Sequence, residues 1–173
     1  MRSALIGASG IAALAIATGV AAQAGGGSAQ ADLRKTEGQV VARATVEQAG
    51  EAVRLRIEAS GLPAGTYGAH IHTAGLCDAP DFASAGGHWN PMSRQHGREN
   101  PQGAHMGDLP NLTVAGNGTG SLTFDIPSAQ LRGGHHPLLD ADGAAVIIHA
   151  SPDDYRTDPT GNSGARVACG VLN

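Results

Sequence analysis

Val53-Arg54-Leu55-Arg56-Ile57-Glu58 alternates an apolar with a charged residue at every step. That period of two marks a β-strand with one face in a core and the other in water, because successive side chains point to opposite faces. Just upstream, Val40 to Gln48 is separated from this strand by Ala49 and Gly50, which predicts a hairpin. Downstream, Gly61 to Gly65 with Pro63 is a turn, and Tyr67 to His72 is the next strand. Alternation returns around the turn at Asn117-Gly118, with Leu122, Phe124 and Ile126 on one face. Ala144 to Ala150 contains the continuous apolar run Val146-Ile147-Ile148, and Arg166 to Val171 is the last strand. With a weak first strand near Ala31 to Thr36 the count is eight, and no helix is expected outside the N-terminal segment. The expected fold is all-β: an eight-stranded antiparallel Greek-key barrel or sandwich with two long functional loops, Thr73 to Leu112 and Ser151 to Ala165. A segment as long as the first, lacking any period inside a compact domain, usually carries function.

The 173 residues suit one domain. Arg2, an apolar stretch running to Ala22, and the triplet Ala22-Gln23-Ala24 have the three parts of a secretory signal. The organisation read from this is a signal peptide over 1–24, a flexible Gly/Ser/Ala linker over 25–31 and the β-domain over 32–173. Export, likewise, makes the periplasm the expected compartment, with no membrane attachment once the leader is cut. Two cysteines in an exported chain, Cys77 and Cys169, read first as one disulfide, with two buried thiols as the alternative. In the chain-entropy picture, closing a loop that long stabilises by about 4 to 5 kcal/mol.

Charge narrows the function. Removing Arg2 leaves 10 basic and 15 acidic residues, with the arginines scattered and Lys35 the sole lysine. Such a chain lacks the basic stripe of a nucleic-acid binder and the polybasic patch of a membrane-surface protein. Against this sparse background eight histidines stand out. His70 and His72 are two apart on a strand and so face the same side. His88, His96, His105 and Asp108 come from the long loop, and His149 closes a later strand. Imidazole and carboxylate ligation suits copper, zinc or nickel rather than calcium or magnesium. Seven donors exceed one four-coordinate site. A copper with four nitrogens beside a zinc with three nitrogens and a carboxylate needs eight positions, so one imidazole must serve both through its two ring nitrogens. His135 and His136, in a Gly- and Pro-flanked turn, read as exposed loop residues with at most adventitious metal binding.

Gly68-Ala69-His70-Ile71-His72, Gly86-Gly87-His88-Trp89-Asn90-Pro91, His96-Gly97, His105-Met106-Gly107-Asp108-Leu109, His149-Ala150 and the run from Gly161 to Gly170 together resemble the copper/zinc superoxide dismutases of the bacterial exported type. The resemblance spans nearly the whole mature chain. It implies a Greek-key β-barrel, an architecture this enzyme exemplifies, and dismutation of superoxide to dioxygen and hydrogen peroxide by Cu(II)/Cu(I) cycling beside a structural Zn. By the same resemblance His70, His72, His88 and His149 are the Cu ligands, and His88, His96, His105 and Asp108 the Zn ligands, with His88 the bridge and a proton donor. Asp153 would link His70 to His96 from outside the ligand shell, Cys77 and Cys169 would form the family's disulfide, and Arg166 would be the active-site arginine. One departure concerns Ser151 to Ala165, which carries a single cation, Arg156, and lacks the lysines that many relatives place there to attract the anion. A homodimer is one assembly the family offers, and the sequence does not choose it. The alternative function is a non-catalytic copper- and zinc-binding buffer or carrier on the same scaffold. Zinc-assisted hydrolysis is disfavoured, because three His and one Asp close a zinc site.

Overall fold

A computed structural model describes Met1 and residues 27–173; the expected leader and its cut after Ala24 lie outside the described residues. Nine strands form one antiparallel sheet: β1 (Ser28–Arg34), β2 (Val40–Ala49), β3 (Ala52–Ala59), β4 (Gly65–Tyr67), β5 (Ala69–His72), β6 (Leu112–Val114), β7 (Gly120–Pro127), β8 (Ala145–His149) and β9 (Arg166–Val171). Their order is β4-β6-β7-β3-β2-β1-β9-β8-β5. The first and last strands of this order are consecutive in the chain, so the sheet curls into a nearly closed barrel in which β3→β4, β5→β6 and β7→β8 join strands that are not neighbours. A single 3₁₀ turn, Ala83–Ala85, is the only helical element among the described residues.

The alternation that announced β3 is what fills the barrel. Val53, Leu55, Ile57 and Ala59 are buried while Arg54, Arg56 and Glu58 face water. Leu55 pairs with Val46 on one side and Phe124 on the other, so three strands send side chains to the same interior layer. Each large aliphatic group buried in this way contributes about 1.5 to 3 kcal/mol. On the wet face Arg54 and Asp125 form a two-point ion pair at 2.8 and 2.9 Å across β3 and β7.

Two boundaries differ from the sequence reading. The segment Tyr67 to His72 is two strands, because at Gly68 the backbone leaves β6 and turns to β8: Tyr67 pairs with Leu112, and Ala69 with Ile148. Gly68 itself donates to Ser151 O and accepts from His149 N. This break accounts for nine strands in place of eight. Strand β1 also begins inside the expected linker, with Ala29 and Ala31 buried opposite Val46 and Ala44.

Strands β5 and β8 are buried on both faces. Inside lies the main core, and outside β8 a second cluster of Phe82, Ala85, Ala145, Ile147 and Cys169 covers the sheet. The start of the long loop supplies this cover, and the Cys77–Cys169 disulfide, with Cα atoms 5.7 Å apart, ties it to β9. Further along, the same loop pairs with the free side of β5: Ile71 N donates to Gly107 O, Trp89 N to Ile71 O, and Thr73 N to Gly87 O. Gly107 is required here, since a side chain at that position would collide with the Ile71 carbonyl.

Candidate metal centre

His70 and His72 on β5, His149 at the end of β8 and His88 in the long loop bring four ring nitrogens within 4.8 Å of one another, all on buried residues. Backbone pairing sets this up: His88 bridges to His72, Asp108 to His70, and β8 lies against β5. A register shift between Ile148 and His149 turns the last residue of β8 toward the group.

The second nitrogen of each ring decides which one is left over. His72 Nδ1 donates to Gly86 O at 2.9 Å, His149 Nδ1 to Gly164 O at 3.2 Å, and His70 Nε2 to Asp153 Oδ2 at 2.6 Å. His70 Nδ1 and the Nε2 atoms of His72, His88 and His149 remain, and these four have no hydrogen-bond partner although they are buried. A buried polar atom without a partner is costly, and four converging ones need a common acceptor of their lone pairs, which is what a metal ion is. Burial, then neighbouring imidazoles and the Arg166 cation, push His72 down to about 2 and His149 to about 3. Burial also lowers His88 to about 4, against the opposing pull of Asp108. All three are therefore neutral at pH 7 and offer lone pairs.

A second set meets the same His88 ring from its other side. Nδ1 of His88, His96 and His105 lie 3.0, 3.0 and 3.1 Å from Asp108 Oδ1, and the His88 and His105 nitrogens are 3.4 Å apart. Bonds of about 2.0 to 2.1 Å to a tetrahedral zinc place ligand atoms about 3.3 Å from one another, so the spacing fits that ion. His70 also falls within 4.8 Å of His88, His96 and Asp108. Its Nδ1 belongs to the first group and its Nε2 to Asp153, however, so His105 is the better fourth member. The other Asp108 oxygen is held by the backbone amides of Gly97 (2.9 Å) and His105 (3.0 Å). These bonds and the three imidazoles keep its carboxyl far below the usual range despite burial.

Asp153 joins the two sets. Its Oδ2 accepts from His70 Nε2, and its Oδ1 lies 3.0 Å from His96 Nε2 and accepts from Tyr155 N at 2.6 Å. Burial alone would lower His96, but carboxylates on both its nitrogens raise it to about 9 in the metal-free site. Gly161 packs directly against the Asp153–His96 contact, where any Cβ would overlap both groups. Asn111 clamps the Asp153 backbone with bonds of 2.8 and 2.9 Å, and Asp158 Oδ1 accepts from His96 N at 2.6 Å. Sequence reasoning did not find Asn111, Asp158 or the carbonyls of Gly86 and Gly164. A backbone carbonyl has no residue signature, and Asn111 and Asp158 look like ordinary loop residues.

Arg166, half-buried at the start of β9, donates Nη1 to Phe82 O at 2.5 Å and Nη2 to Gly86 O at 2.6 Å. Burial lowers its pKa from the usual value, with Asp81 opposing. Two of its five donors are thereby used, and the cation is fixed beside the first donor group. Arg156, the one cation of the second loop, is paired with Glu99 across the two loops, with Nε 2.8 Å from Oε2. His135 and His136 are in neither donor set.

Residues 36–172 match the family described as copper/zinc superoxide dismutase (SODC). A superoxide dismutase [Cu-Zn] of Aquifex aeolicus is 42% identical over 144 residues, 82% of this chain and 85% of that protein. One from Caulobacter vibrioides is 42% identical over 148 residues, 84% and 85% of the two chains. The superoxide dismutase-like protein YojM of Bacillus subtilis is 44% identical over 139 residues, 79% of this chain and 71% of that one. Among solved structures, a SOD-like protein from Bacillus subtilis superposes with a TM-score of 0.78 at 42% identity, covering 83% of this chain and 97% of the other. Fold, donor sets and similarity over most of the length agree, and the chain belongs to the copper/zinc superoxide dismutase family.

Proposed function

We propose that this protein is an exported superoxide dismutase that holds copper on His70, His72, His88 and His149 and zinc on His88, His96, His105 and Asp108. The observation that carries the reading is the set of four buried, unpartnered ring nitrogens. When bound, copper supplies the one-electron oxidation and reduction by which two superoxide ions and two protons become dioxygen and hydrogen peroxide, while zinc, which has no redox chemistry, holds charge and geometry. The chain's own residues do the rest. Gly86 O, Gly164 O and Asp153 fix the tautomers of His72, His149 and His70, so each presents a lone pair without rearrangement. Arg166 keeps a permanent positive charge and spare donors beside that group, which suits binding and orienting a small anion. His88, with Nδ1 engaged by the Asp108 set, can accept and hand on a proton at Nε2. The disulfide supports placement in an oxidising compartment such as the periplasm.

A non-catalytic metal-binding domain is the rival, and one relative carries the name superoxide dismutase-like. Metal analysis of the purified mature protein, with superoxide consumption before and after copper removal, separates them. Catalysis that disappears with copper and returns on reloading supports the enzyme, and full metal occupancy without catalysis supports the rival. His149→Ala should abolish activity while zinc stays bound, and Asp108→Ala should lose zinc and thermal stability while retaining some copper.

A further inference from the structure

We infer that zinc reaches and leaves its ligands through a port of its own on the barrel, with His136 as an outer docking imidazole; this rests on the zinc reading of the Asp108 set. A cavity of about 550 Å³ has His105 and Asp108 in its wall, together with Met92, Arg98, Phe124 and His136, and none of His70, His72, His88 or His149. A separate cavity, of about 410 Å³, is lined by Arg166 and by Gly164, the residue whose carbonyl holds His149. The two donor sets share an imidazole, yet the cavity beside the zinc set has no lining residue in common with the one beside Arg166. Within the zinc set His96 is sealed at 0% exposure; His105 retains 8% and lines this cavity, whereas His88, at 7%, does not line it, so His105 is the ligand an ion entering here meets first.

His136 belongs to neither donor set, and its position is nonetheless constrained. Its backbone is left-handed with φ 50°, and its carbonyl accepts from Gln130 N, which anchors the turn. A second imidazole in the same cavity as His105 gives a partly dehydrated zinc ion an intermediate ligand between water and the buried site. Arg98 acts in the opposite sense. Its guanidinium lies 5.0 Å from the Phe124 ring centroid and 5.9 Å from that of Tyr155, and it makes no ion pair among the described residues. An unneutralised cation at the mouth repels a dication and slows its entry.

The test is stopped-flow uptake of Zn²⁺ by the full mature protein freed of both metals, followed with a zinc-responsive chromophoric chelator, alongside Cu²⁺ uptake and equilibrium affinities. His136→Ala and Met92→Trp should slow zinc uptake and release several-fold, the first by removing the docking ligand and the second by filling the cavity. Arg98→Gln should accelerate uptake. Final zinc content, zinc affinity and copper uptake should match the wild type in all three, and normal copper uptake also shows that each variant folds. Unchanged zinc rates in His136→Ala and Met92→Trp would overturn the port, as would a loss of equilibrium affinity in His136→Ala, which would make that residue a ligand. Wild-type protein that binds zinc at equilibrium keeps the underlying reading intact in either case, while protein that binds none overturns both.

Discussion

Arg166 and His72 share a single acceptor, the carbonyl of Gly86, which takes Nη2–H of the arginine at 2.6 Å and Nδ1–H of the histidine at 2.9 Å. One peptide group therefore sets both the position of the fixed cation and the tautomer of a candidate copper ligand. Neither can shift without the other losing part of its anchor.

Arg166→Glu should cut the second-order rate with superoxide by about 10-fold or more, since local positive charge focuses small anions and the chain as a whole is negative. Arg166→Lys should fall in between, because one ammonium cannot span both Phe82 O and Gly86 O. Wild-type rates should decline as added salt screens the field. Pulse-radiolysis rates against ionic strength check this, and both variants should keep normal copper and zinc contents.

Asp153→Asn keeps the size of the side chain and removes the charge that faces His70 and His96. An amide can accept from only one of the two rings at its oxygen, so one imidazole loses its orienting partner. Zinc affinity should drop by about 10- to 100-fold, the usual cost of losing an outer-shell acceptor. Competition against a chelator of known affinity measures it.

Cys169→Ser with Cys77→Ser should lower stability by about 4 to 5 kcal/mol in the chain-entropy picture. It should also reduce activity in folded, metal-loaded protein, because the loop from Cys77 to Gly86 carries both carbonyls that hold Arg166. Chemical denaturation and rate measurements on the same samples separate the two effects. Mass spectrometry of the unreduced wild type should show no alkylatable thiol.

The metal-free protein should be most stable near pH 6.5. His72, His88 and His149, held at about 2, 4 and 3 in the fold, gain protons in the unfolded chain below about 6.5, so stability falls as the pH drops from 6.5 toward 4. Asp108 and Asp153 are held below the usual carboxylate range, so their contribution is present above about 4 and is lost on further acidification. His96, raised to about 9, stabilises below 6.5 and loses that contribution as the pH climbs through 9. Thermal midpoints from pH 4 to 9 should trace an asymmetric peak that flattens above pH 5 once metals are bound.

The core strands were legible because each alternates or runs apolar within a few residues, as Val53 to Glu58 and Val146 to Ile148 do. The split at Gly68 was hidden because its cause is nonlocal: the partners of Tyr67 and Ala69 lie on opposite sides of the barrel seam. The expected first strand, Ala31 to Thr36, started too late for a related reason, since alanines bury too little surface to announce a face and Ala29 and Ala31 are defined by what β2 places opposite them. At the site, side chains with unusual chemistry were legible by type and spacing. The supporting clamp of Asn111 on Asp153 was not, because 42 residues separate them and the contact is made to backbone atoms.

The ligand-bearing loop has a second effect, on how the molecule meets its own copies. By pairing with the outer side of β5 through Gly87, Trp89 and Gly107, it covers the terminal strand of a sheet whose other terminal strand, β4, is only three residues long. An uncovered strand presents a row of open amides and carbonyls, a template for adding a strand from another chain. A copper ion held as proposed would tie His88 to His70, His72 and His149 on the barrel and so would also hold this cover down. The expected outcome of demetallation is readier release of this cover and intermolecular pairing at Ala69–His72, so light scattering of the metal-free protein should rise faster than that of the loaded protein.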